Sequence, residues 1–283
     1  MNIQQISSND NTYPNILRDI NSPPKQIFVA GGIPELPMVA IVGSRRPTNY
    51  GRATTYQIAG ELARAGFCIV SGLALGIDTI AHQAALDNNG KTIAVLGCGL
   101  DTPYPRSNTN LFNQIIESGG GVITEYANGT EPFKSNFPAR NRIIAGLSMA
   151  TIVTEADAKS GSLITANFAL QANRLVMAVP GNITSQRSAG PNNLIKNGAQ
   201  LVTNAMDILA ILGMESPGLA KTKVKADSRE EAVIIDLLSE QSLTTQQIID
   251  RSEIDAVNLA SIISLMEITG KIRNLGAGQW ILS

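Results

Sequence analysis

The stretch MVAIVGSRRPTNY, residues 38–50, decides the fold class of this 283-residue chain. Met38–Val42 is short, apolar and rich in β-branched residues, which predicts a buried strand. It ends in Gly43-Ser44-Arg45-Arg46, and apolar side chains at helical spacing predict a helix over residues 51–65. Strand, glycine turn and helix form an anion site in α/β proteins, where helix-start amides and a nearby arginine face a phosphate. This loop has no Walker lysine, so it does not require a nucleoside triphosphate.

Strand-like and helical segments alternate from residue 38 to about 212, which predicts a parallel sheet with helices on both faces. Glycine-bearing loops follow the strands, and open parallel sheets bind ligands outside the carboxyl ends of their strands. We therefore expect these loops to meet in one crevice. Strands are predicted at 38–42, 67–70, 92–96, 121–125, 150–154 and 175–179, with a weaker segment at 200–202. The later helices are predicted at 78–86, 109–118, 140–147, 162–172 and 206–212.

The flanking regions differ in character from this central domain. Residues 1–37 are predicted to be a lead-in, with an added edge strand at 26–30. Residues 213–228 contain Pro, Gly, Ser and lysines without an apolar period, which indicates a linker. Residues 229–283 contain three helical patterns followed by a hairpin pattern, which is typical of a winged-helix domain.

Charge is distributed unevenly along a chain whose total is −1. Because the whole molecule is not a polycation, nucleic-acid binding requires a local basic patch. Residues 132–206 contain seven basic and two acidic residues, a balance of +5 that is typical of a polyanion site. Residues 229–283 contain four basic and eight acidic residues, and the helix predicted over 254–268 has no Lys or Arg. We therefore predict that the C-terminal unit does not drive DNA binding and instead contacts protein or regulates.

Cysteine content and hydropathy indicate the compartment. Cys68 and Cys98 lie in or beside apolar runs, so we expect two buried thiols and no metal site. The low cysteine count fits a reducing compartment, and the polar N-terminus has no signal-peptide core. No apolar run approaches the length of a membrane span. The expected location is the cytoplasm, without membrane contact.

Five ordered sequence blocks resemble the DprA/Smf family of bacterial DNA-processing proteins. The match runs from about Tyr13 to Gly198, and the winged-helix pattern also fits many members. The N-terminal helical domain of many members is expected to be absent or reduced to residues 1–37. The blocks are IVGSRRPTNYG (41–51), SGLALGIDTIAH (71–82), FPARNRIIAGLS (137–148), SGSLITA (160–166) and AVPG (178–181).

The resemblance implies an extended Rossmann-like domain over residues 38–212 that binds single-stranded DNA without sequence preference. It implies a recombination mediator that loads the RecA recombinase onto incoming strands during natural transformation. It also implies a homodimer, with no reaction of its own and no cofactor. No catalytic or metal residues are expected.

Residue types and the family match together define an expected DNA site. Arg45 and Lys134 are expected to contact phosphates, with Phe137 stacked on a base. For Arg46 the sequence leaves open whether the side chain faces the same phosphate. One of Arg140 and Arg142 is expected to contact a phosphate or the crevice and the other to be structural, and Asn141 is expected to bond a loop backbone. Glycines in the loops would allow close approach of a DNA backbone. The full set is Gly43, Ser44, Arg45, Arg46, Gly72, Lys134, Phe137, Arg140, Asn141, Arg142, Gly161 and Ser162.

Each of these assignments has a structural alternative. The glycines could serve only tight turns, and Phe137 could be core. Asp78 and His82 lie four apart on one predicted helix, where the aspartate could cap the helix and the histidine could pair with it. Glu125 and Glu155 resemble an acid/base pair, although a structural or crevice-lining role is favoured.

Two other functional classes remain open at this point. Rossmann-like nucleotide hydrolases similar to the LOG family have a PGGxGTxxE-type loop, whereas this chain has Phe168 at the glutamate position. A nucleotide-binding role without catalysis is still compatible with the sequence. A transcription regulator acting through the winged helix is disfavoured by the acidic composition of that unit.

Overall fold

The computed structural model describes residues 3–214, 226–252, 254–276 and 278–282. The chain divides into two compact units, Met1–Leu219 and Ala220–Ser283. Of the linker predicted over residues 213–228, residues 215–225 lie outside the described residues.

The first unit is an alternating α/β domain. Its strands are β1 (Ile3–Ser7), β2 (Gln26–Gly31), β3 (Met38–Val42), β4 (Cys68–Ser71), β5 (Lys91–Leu96), β6 (Gly121–Thr124), β7 (Ala150–Val153), β8 (Leu175–Ala178) and β9 (Gln200–Leu201). Its helices are α1 (Asn15–Arg18), α2 (Asn49–Arg64), α3 (Ile77–Asp87), α4 (Thr109–Glu117), α5 (Asn136–Gly146), α6 (Ser162–Gln171), α7 (Ala189–Lys196) and α8 (Ala205–Leu212).

The nine strands form one sheet in the order β1-β2-β6-β5-β4-β3-β7-β8-β9. The seven strands from β6 to β9 in that order pair in parallel. This confirms the mostly parallel, Rossmann-like sheet predicted from the sequence. The strand order reverses beside β3, whose neighbours are β4 and β7. Loops on either side of β3 therefore diverge and leave a crevice at the carboxyl edge of the sheet.

The N-terminal segment is part of this domain, so its prediction as a lead-in was wrong. β2 is covered by β1 and pairs antiparallel with both β1 and β6, so it is not an edge strand. Tyr13, Leu17 and Ile20 are buried in the core, and the Tyr13 hydroxyl donates to the Pro24 carbonyl at 2.8 Å. The segment was misread because β1 contains two glutamines and buries only Ile6 fully.

Helix boundaries differ from the prediction at two functionally relevant places. The helix predicted over 140–147 begins at Asn136, so Phe137 lies in its first turn. Helix α7 was not predicted because Gly190 and Pro191 suggest a turn. Proline is accepted in the first turn of a helix, where its missing N–H costs no hydrogen bond.

Apolar side chains pack on both faces of the sheet, as the doubly wound arrangement requires. One face is covered by α5 and α6 and includes Ile143 and Ala166, whereas the opposite face is covered by α2, α3 and α8 and includes Leu62 and Ile208. Cys68 and Cys98 are buried free thiols, as predicted. The helices cover the two faces of the sheet, and the loops at its carboxyl edge remain available to form a site.

The second unit consists of three helices and a small antiparallel sheet. Its elements are α9 (Arg229–Glu240), β10 (Leu243–Thr244), α10 (Thr245–Ser252), α11 (Ala256–Ile268), β11 (Ile272–Asn274) and β12 (Gln279–Leu282). The strand order is β10-β12-β11, which is the winged-helix arrangement predicted from the sequence. Its core includes Ile234, Leu259 and Trp280, and the Trp280 indole donates to the Thr245 hydroxyl at 2.9 Å.

Candidate functional site

Loops from four strand ends meet at one pocket on the carboxyl edge of the sheet. The loops follow β3, β4, β5 and β6, and the last of them leads into α5. The prediction that glycine-bearing loops meet in a crevice is confirmed for the Gly43, Gly72 and Gly97 loops, whereas the Gly161 and Gly181 loops contribute no lining residue to this pocket. The pocket is lined by Arg45, Gly72, Ala74, Leu75, Tyr104, Pro105, Phe137 and Arg140.

A cation and two aromatic rings stand together in this pocket. The Arg45 guanidinium carbon lies 5.8 Å from the centre of the Phe137 ring, within the range of a cation–π contact. The Tyr104 and Phe137 ring centres are 5.6 Å apart with planes inclined by 44°. Arg45 is exposed and Tyr104 retains 45 % of its accessible surface. The cluster therefore presents positive charge and flat apolar surface to solvent, a combination that suits a phosphate beside a base.

Backbone contacts between loops fix the position of Arg45. The Ile77 amide donates to the Ser44 carbonyl at 3.0 Å, which joins the start of α3 to the β3 loop. Gly76 has a φ of +82°, and a Cβ atom there would collide with the Ser44 carbonyl and the Arg45 backbone. Glycine at position 76 is therefore needed for the close approach of these two loops.

Two amides at the start of α2, those of Thr48 and Gly51, are already bonded to protein groups, so the prediction that the helix-start amides face a ligand was wrong for these two. Glu155 is 2 % exposed, and its Oε2 accepts the Thr48 amide at 2.8 Å. Its Oε1 accepts the Thr48 hydroxyl, and that hydroxyl accepts the Gly51 amide at 3.2 Å. The sequence could not reveal this because Glu155 comes from the loop after β7, far from Thr48 in the chain. The preference for a structural role of Glu155 is confirmed.

The predicted site glycines fall into two groups. A Cβ atom at Gly43 would lie 2.7 Å from the Glu155 carbonyl oxygen, and one at Gly72 would lie 2.8 Å from the Asp78 carboxylate. Packing of the fold therefore requires glycine at both positions. A Cβ atom at Gly161 would meet nothing within 4 Å, and the φ of Gly161 is −61°. The fold does not require glycine there, and the space beside it is open.

Arg140 lies in the wall of the pocket and is bound by protein groups. It is 4 % exposed, and its Nη1 donates to the carbonyls of Gly72, at 2.7 Å, and Val95. Burial lowers the pKa of the Arg140 guanidinium to about 10, and the nearby Asp78 carboxylate opposes part of that shift. Arg140 thus contributes positive potential and connects the Gly72 loop to strand β5.

The other predicted residues of α5 point to different surroundings. The Asn141 Nδ2 donates to the Gly161 carbonyl at 3.2 Å, which confirms the predicted bond to a loop backbone and links α5 to the start of α6. Arg142 lies outside the pocket and forms a bidentate ion pair with Glu125. Its Nη2 donates to Oε2 at 2.6 Å and its Nη1 to Oε1 at 3.1 Å. Glu125 is therefore occupied as an ion-pair partner.

The remaining predicted residues lie around the pocket or near it. Lys134 is exposed, three residues before Phe137, and does not line the pocket. Arg46 is also exposed, and its amide donates to the Ser44 hydroxyl at 3.1 Å. Ser162 is buried, and its hydroxyl lies 2.8 Å from the Ser160 hydroxyl.

The balance of +5 for residues 132–206 overstates the number of cations that are available to bind an anion. Arg140 is buried, Arg142 pairs with Glu125, and Arg174 lies 3.8 Å from Asp19. Both acidic partners lie outside the counted window, so a linear count could not include them. Lys134 and Lys159 are exposed and form no ion pair among the described residues.

His82 is buried and takes no part in the pocket surface. Its Nδ1 lies 2.6 Å from the Thr92 hydroxyl, so its partner is Thr92 rather than the predicted Asp78. The Thr92 hydroxyl donates to the Ile69 carbonyl, so Nδ1 of His82 must be the donor and Nε2 is left without a partner. Burial, with a smaller effect of the Arg140 charge, lowers the pKa of His82 to about 3. Asp78 instead accepts the Gly72 and Ala74 amides.

Tyr104 and Leu75 are pocket residues that sequence reasoning missed. Leu75 is 49 % exposed, which is unusual for a leucine beside a buried strand end. The available signal was Pro103-Tyr104-Pro105 in the loop after β5, since loops run over the protein surface and often carry binding residues. Among the described residues, no three His, Cys, Asp or Glu side chains are grouped to hold a metal ion. No helix in the described ranges is sufficiently long and apolar to cross a membrane.

Comparison with known proteins gives this Rossmann-like protein a family. The family model for DNA recombination-mediator protein A matches residues 4–213. The DNA processing protein DprA of Streptococcus pneumoniae is 47% identical over 203 residues, 71% of each chain. Protein Smf of Synechocystis is 46% identical over 218 residues, which are 75% of this chain and 54% of that protein.

Two solved structures resemble the first unit. The X-ray structure of DprA from Streptococcus pneumoniae has a TM-score of 0.70 at 45% identity and covers 74% of each chain. DNA processing protein A from Helicobacter pylori, described for its single-stranded DNA binding mode, has a TM-score of 0.67 at 34% identity. That match covers 75% of this chain and 96% of the other.

The fold and its carboxyl-edge crevice define a Rossmann-like α/β protein of the doubly wound class. Within that class, the chain belongs to the DNA recombination-mediator protein A family, as its sequence blocks predicted. The chain spans about half the length of the Synechocystis relative.

Proposed function

We propose that this protein binds single-stranded DNA without sequence preference at the pocket of Arg45, Tyr104 and Phe137. The observation that carries the proposal is an exposed guanidinium over the Phe137 ring, which itself pairs with Tyr104, at the carboxyl edge of the sheet. Every base has a flat face and every nucleotide a phosphate, so this pairing of groups is tolerant of sequence. The DNA binding mode described for the Helicobacter pylori relative supports the assignment.

Each group has a defined task in this proposal. Arg45 contacts a phosphate, and the base next to it stacks on Phe137 or Tyr104. Lys134, exposed just before α5, contacts the following phosphate. Gly161 leaves open space for the backbone as the strand passes the start of α6. Arg140 adds positive potential from within the pocket wall.

We further propose a role as a recombination mediator that loads RecA onto incoming strands during natural transformation. It acts in the cytoplasm as a homodimer and catalyses no reaction of its own. Repetition of a small site along one strand raises its effective affinity, which favours a dimer. Membership of the recombination-mediator family supports this role.

The alternative of a nucleotide hydrolase similar to the LOG family is less well supported. Its helix would carry a glutamate where this chain has Phe168, and Phe168 packs from α6 against the core. The start of α2 is also filled by the Glu155 carboxylate. Incubation with nucleoside monophosphates should release no free base, and release would favour the hydrolase.

The proposal is tested by fluorescence anisotropy of labelled oligo-dT and of a duplex of equal length. We expect tighter binding of the single strand and a loss of roughly tenfold or more for Arg45→Ala and for Phe137→Ala, since stacking contributes about 1–3 kcal/mol per base. The charge-matched control is Lys196→Ala, because Lys196 is exposed at the far end of α7, just before β9 starts at the opposite sheet edge.

Two results would contradict the proposal. One is equal affinity for single strand and duplex. The other is an Arg45→Ala variant that binds like wild type.

A further inference from the structure

The start of α2 already contains an anion, which belongs to the protein itself. The Glu155 carboxylate accepts the Thr48 amide and the Thr48 hydroxyl, and the Glu155 carbonyl accepts the Ser44 amide at 2.6 Å. It lies between β3 and β7, where the strand order reverses. Doubly wound proteins bind the phosphates of nucleotides at this position, against the positive end of the first helix.

Gly51 is matched to this carboxylate. The three atoms nearest to a Cβ built at Gly51 are all atoms of the Glu155 side chain, and that Cβ would collide with the carboxylate. In a nucleotide-binding loop, glycine lets a ligand phosphate approach the helix start. Here the missing side chain leaves room for Glu155.

The burial of Glu155 also requires compensation. A carboxylate at 2 % exposure is unfavourable unless donors and positive potential surround it. The two donor groups of Thr48 and the first turn of α2 supply both. Because Thr48 and Ser44 flank Arg45, the same bonds hold the loop that carries Arg45.

We propose that Glu155 is a specificity-determining residue, which fills the phosphate position at the start of α2 and so excludes nucleotides from the crevice. It also acts as a positioning residue for the loop of residues 44–48. A single strand then meets the cation at Arg45 rather than the helix start.

The first test removes the carboxylate and offers a small one in its place. Glu155→Ala should have a lower melting temperature than wild type in chloride, and replacing chloride by an equal concentration of formate should restore part of it by binding the vacated position. The control is Gly51→Ala combined with Glu155→Ala, in which the added methyl group occupies that position. This double variant should not respond to formate. A Glu155→Ala protein as stable as wild type, or one indifferent to formate, would overturn the proposal.

The second test uses the wild-type protein and does not depend on how the variants fold. The amide NMR signals of Thr48 and Gly51 should not move when AMP or inorganic phosphate is added, because the position is filled. Saturable shifts of these two amides would show that it is open, and would contradict the proposal.

A third measurement rests on the proposed function. Glu155→Ala should bind oligo-dT at least about fivefold more weakly than wild type in chloride, with formate restoring affinity as the 44–48 loop is held again. If wild type itself does not bind oligo-dT, the proposed function fails while the formate and NMR results still decide the role of Glu155. If wild type binds and formate restores stability without affinity, the positioning role fails.

Discussion

At the scale of single residues, the pocket depends on which side chains remain unoccupied. Arg45, Arg140 and Arg142 were all predicted as site residues. In the structure Arg45 is exposed over the Phe137 ring, whereas Arg140 donates to carbonyl oxygens and Arg142 pairs with Glu125. An arginine whose donors are bonded within the protein therefore stabilises the fold, whereas an exposed arginine can bind a ligand.

Tyr104 provides the sharpest test of the aromatic pair. Tyr104→Ala should weaken oligo-dT binding by about 1–3 kcal/mol if the ring stacks on a base, whereas Tyr104→Phe should stay within about twofold of wild type. Anisotropy titrations measure both. Equal losses for the two variants would indicate that the hydroxyl, and not the ring, is the important group.

His82, the single histidine of the chain, connects a buried residue to the pH dependence of stability. Burial, with a smaller effect of the Arg140 charge, lowers its pKa from 6.5 to about 3, and protonation would leave a buried Nε2–H without an acceptor. Because the folded pKa lies below the unfolded one, this stabilisation is present above pH 6.5 and is lost as the pH falls toward 3.

The advantage of wild type over His82→Leu in free energy of unfolding should shrink by about 1.4 kcal/mol from pH 7.5 to pH 5.5. Urea unfolding of both proteins at the two pH values measures this, and groups common to both cancel in the difference. A constant advantage would show that His82 has the same pKa in the folded and the unfolded protein, and an advantage that grows as the pH falls would show a raised folded pKa.

At the scale of elements, the glycines of the loops after the strands form two groups. Packing requires glycine at positions such as Gly72 and does not require it at Gly161. Gly72 is packed against Arg140 and Asp78, whereas Gly161 faces open space at the start of α6. Asn141 ties the two helices α5 and α6 together beside Gly161.

Gly161→Ala should therefore weaken DNA binding, whereas Gly72→Ala should reduce the stability of the fold. Gly161→Ala should lower the melting temperature by no more than about 3 °C while weakening oligo-dT binding by about fivefold, because the new methyl group enters the space proposed for the DNA backbone. Gly72→Ala should lower the melting temperature by more than Gly161→Ala does, because its methyl group would collide with Arg140 and Asp78. Calorimetry and anisotropy on each variant compare the two effects, and a Gly161→Ala protein with full affinity would exclude DNA from the α6 start.

At the scale of the whole molecule, charge separates the two units. The exposed face of α11 includes Val257 and Ile268, at 78 % and 82 % exposure, and the helix has no Lys or Arg. A helix that reads DNA needs donors for phosphates and base edges. We therefore propose that DNA binding by this molecule belongs to the first unit.

A protein ending at Met214 should bind oligo-dT within about tenfold of the full chain, since no phosphate-binding cations of the proposed site are removed. Parallel titrations of the two proteins measure the difference. A larger loss would show that the C-terminal unit contributes directly.

Salt dependence tests how many phosphates the site neutralises. With about four phosphates per protomer, log affinity should fall against log salt concentration with a slope near −3. Anisotropy across a salt series measures it, and an affinity independent of salt would contradict a phosphate-binding pocket.

Much of the fold could be predicted from the sequence because it depends on local patterns. Buried parallel strands are continuous apolar runs, and glycines follow them, so β3 and the Gly43 loop were predicted correctly. Helix α7 and strand β1 were missed because Gly190-Pro191 and two glutamines hide their local patterns.

The sequence by itself determined the parallel α/β domain, the winged-helix pattern and the family, and it proposed Arg45, Phe137 and Asn141 as residues of the DNA site. Only the tertiary structure decided which groups are already satisfied. Glu155 reaches the start of α2, Glu125 reaches Arg142, and Tyr104 reaches Phe137 across distances that no local pattern encodes. The physical reason is that charge pairing and burial depend on neighbours in space, which sheet order and loop packing bring together.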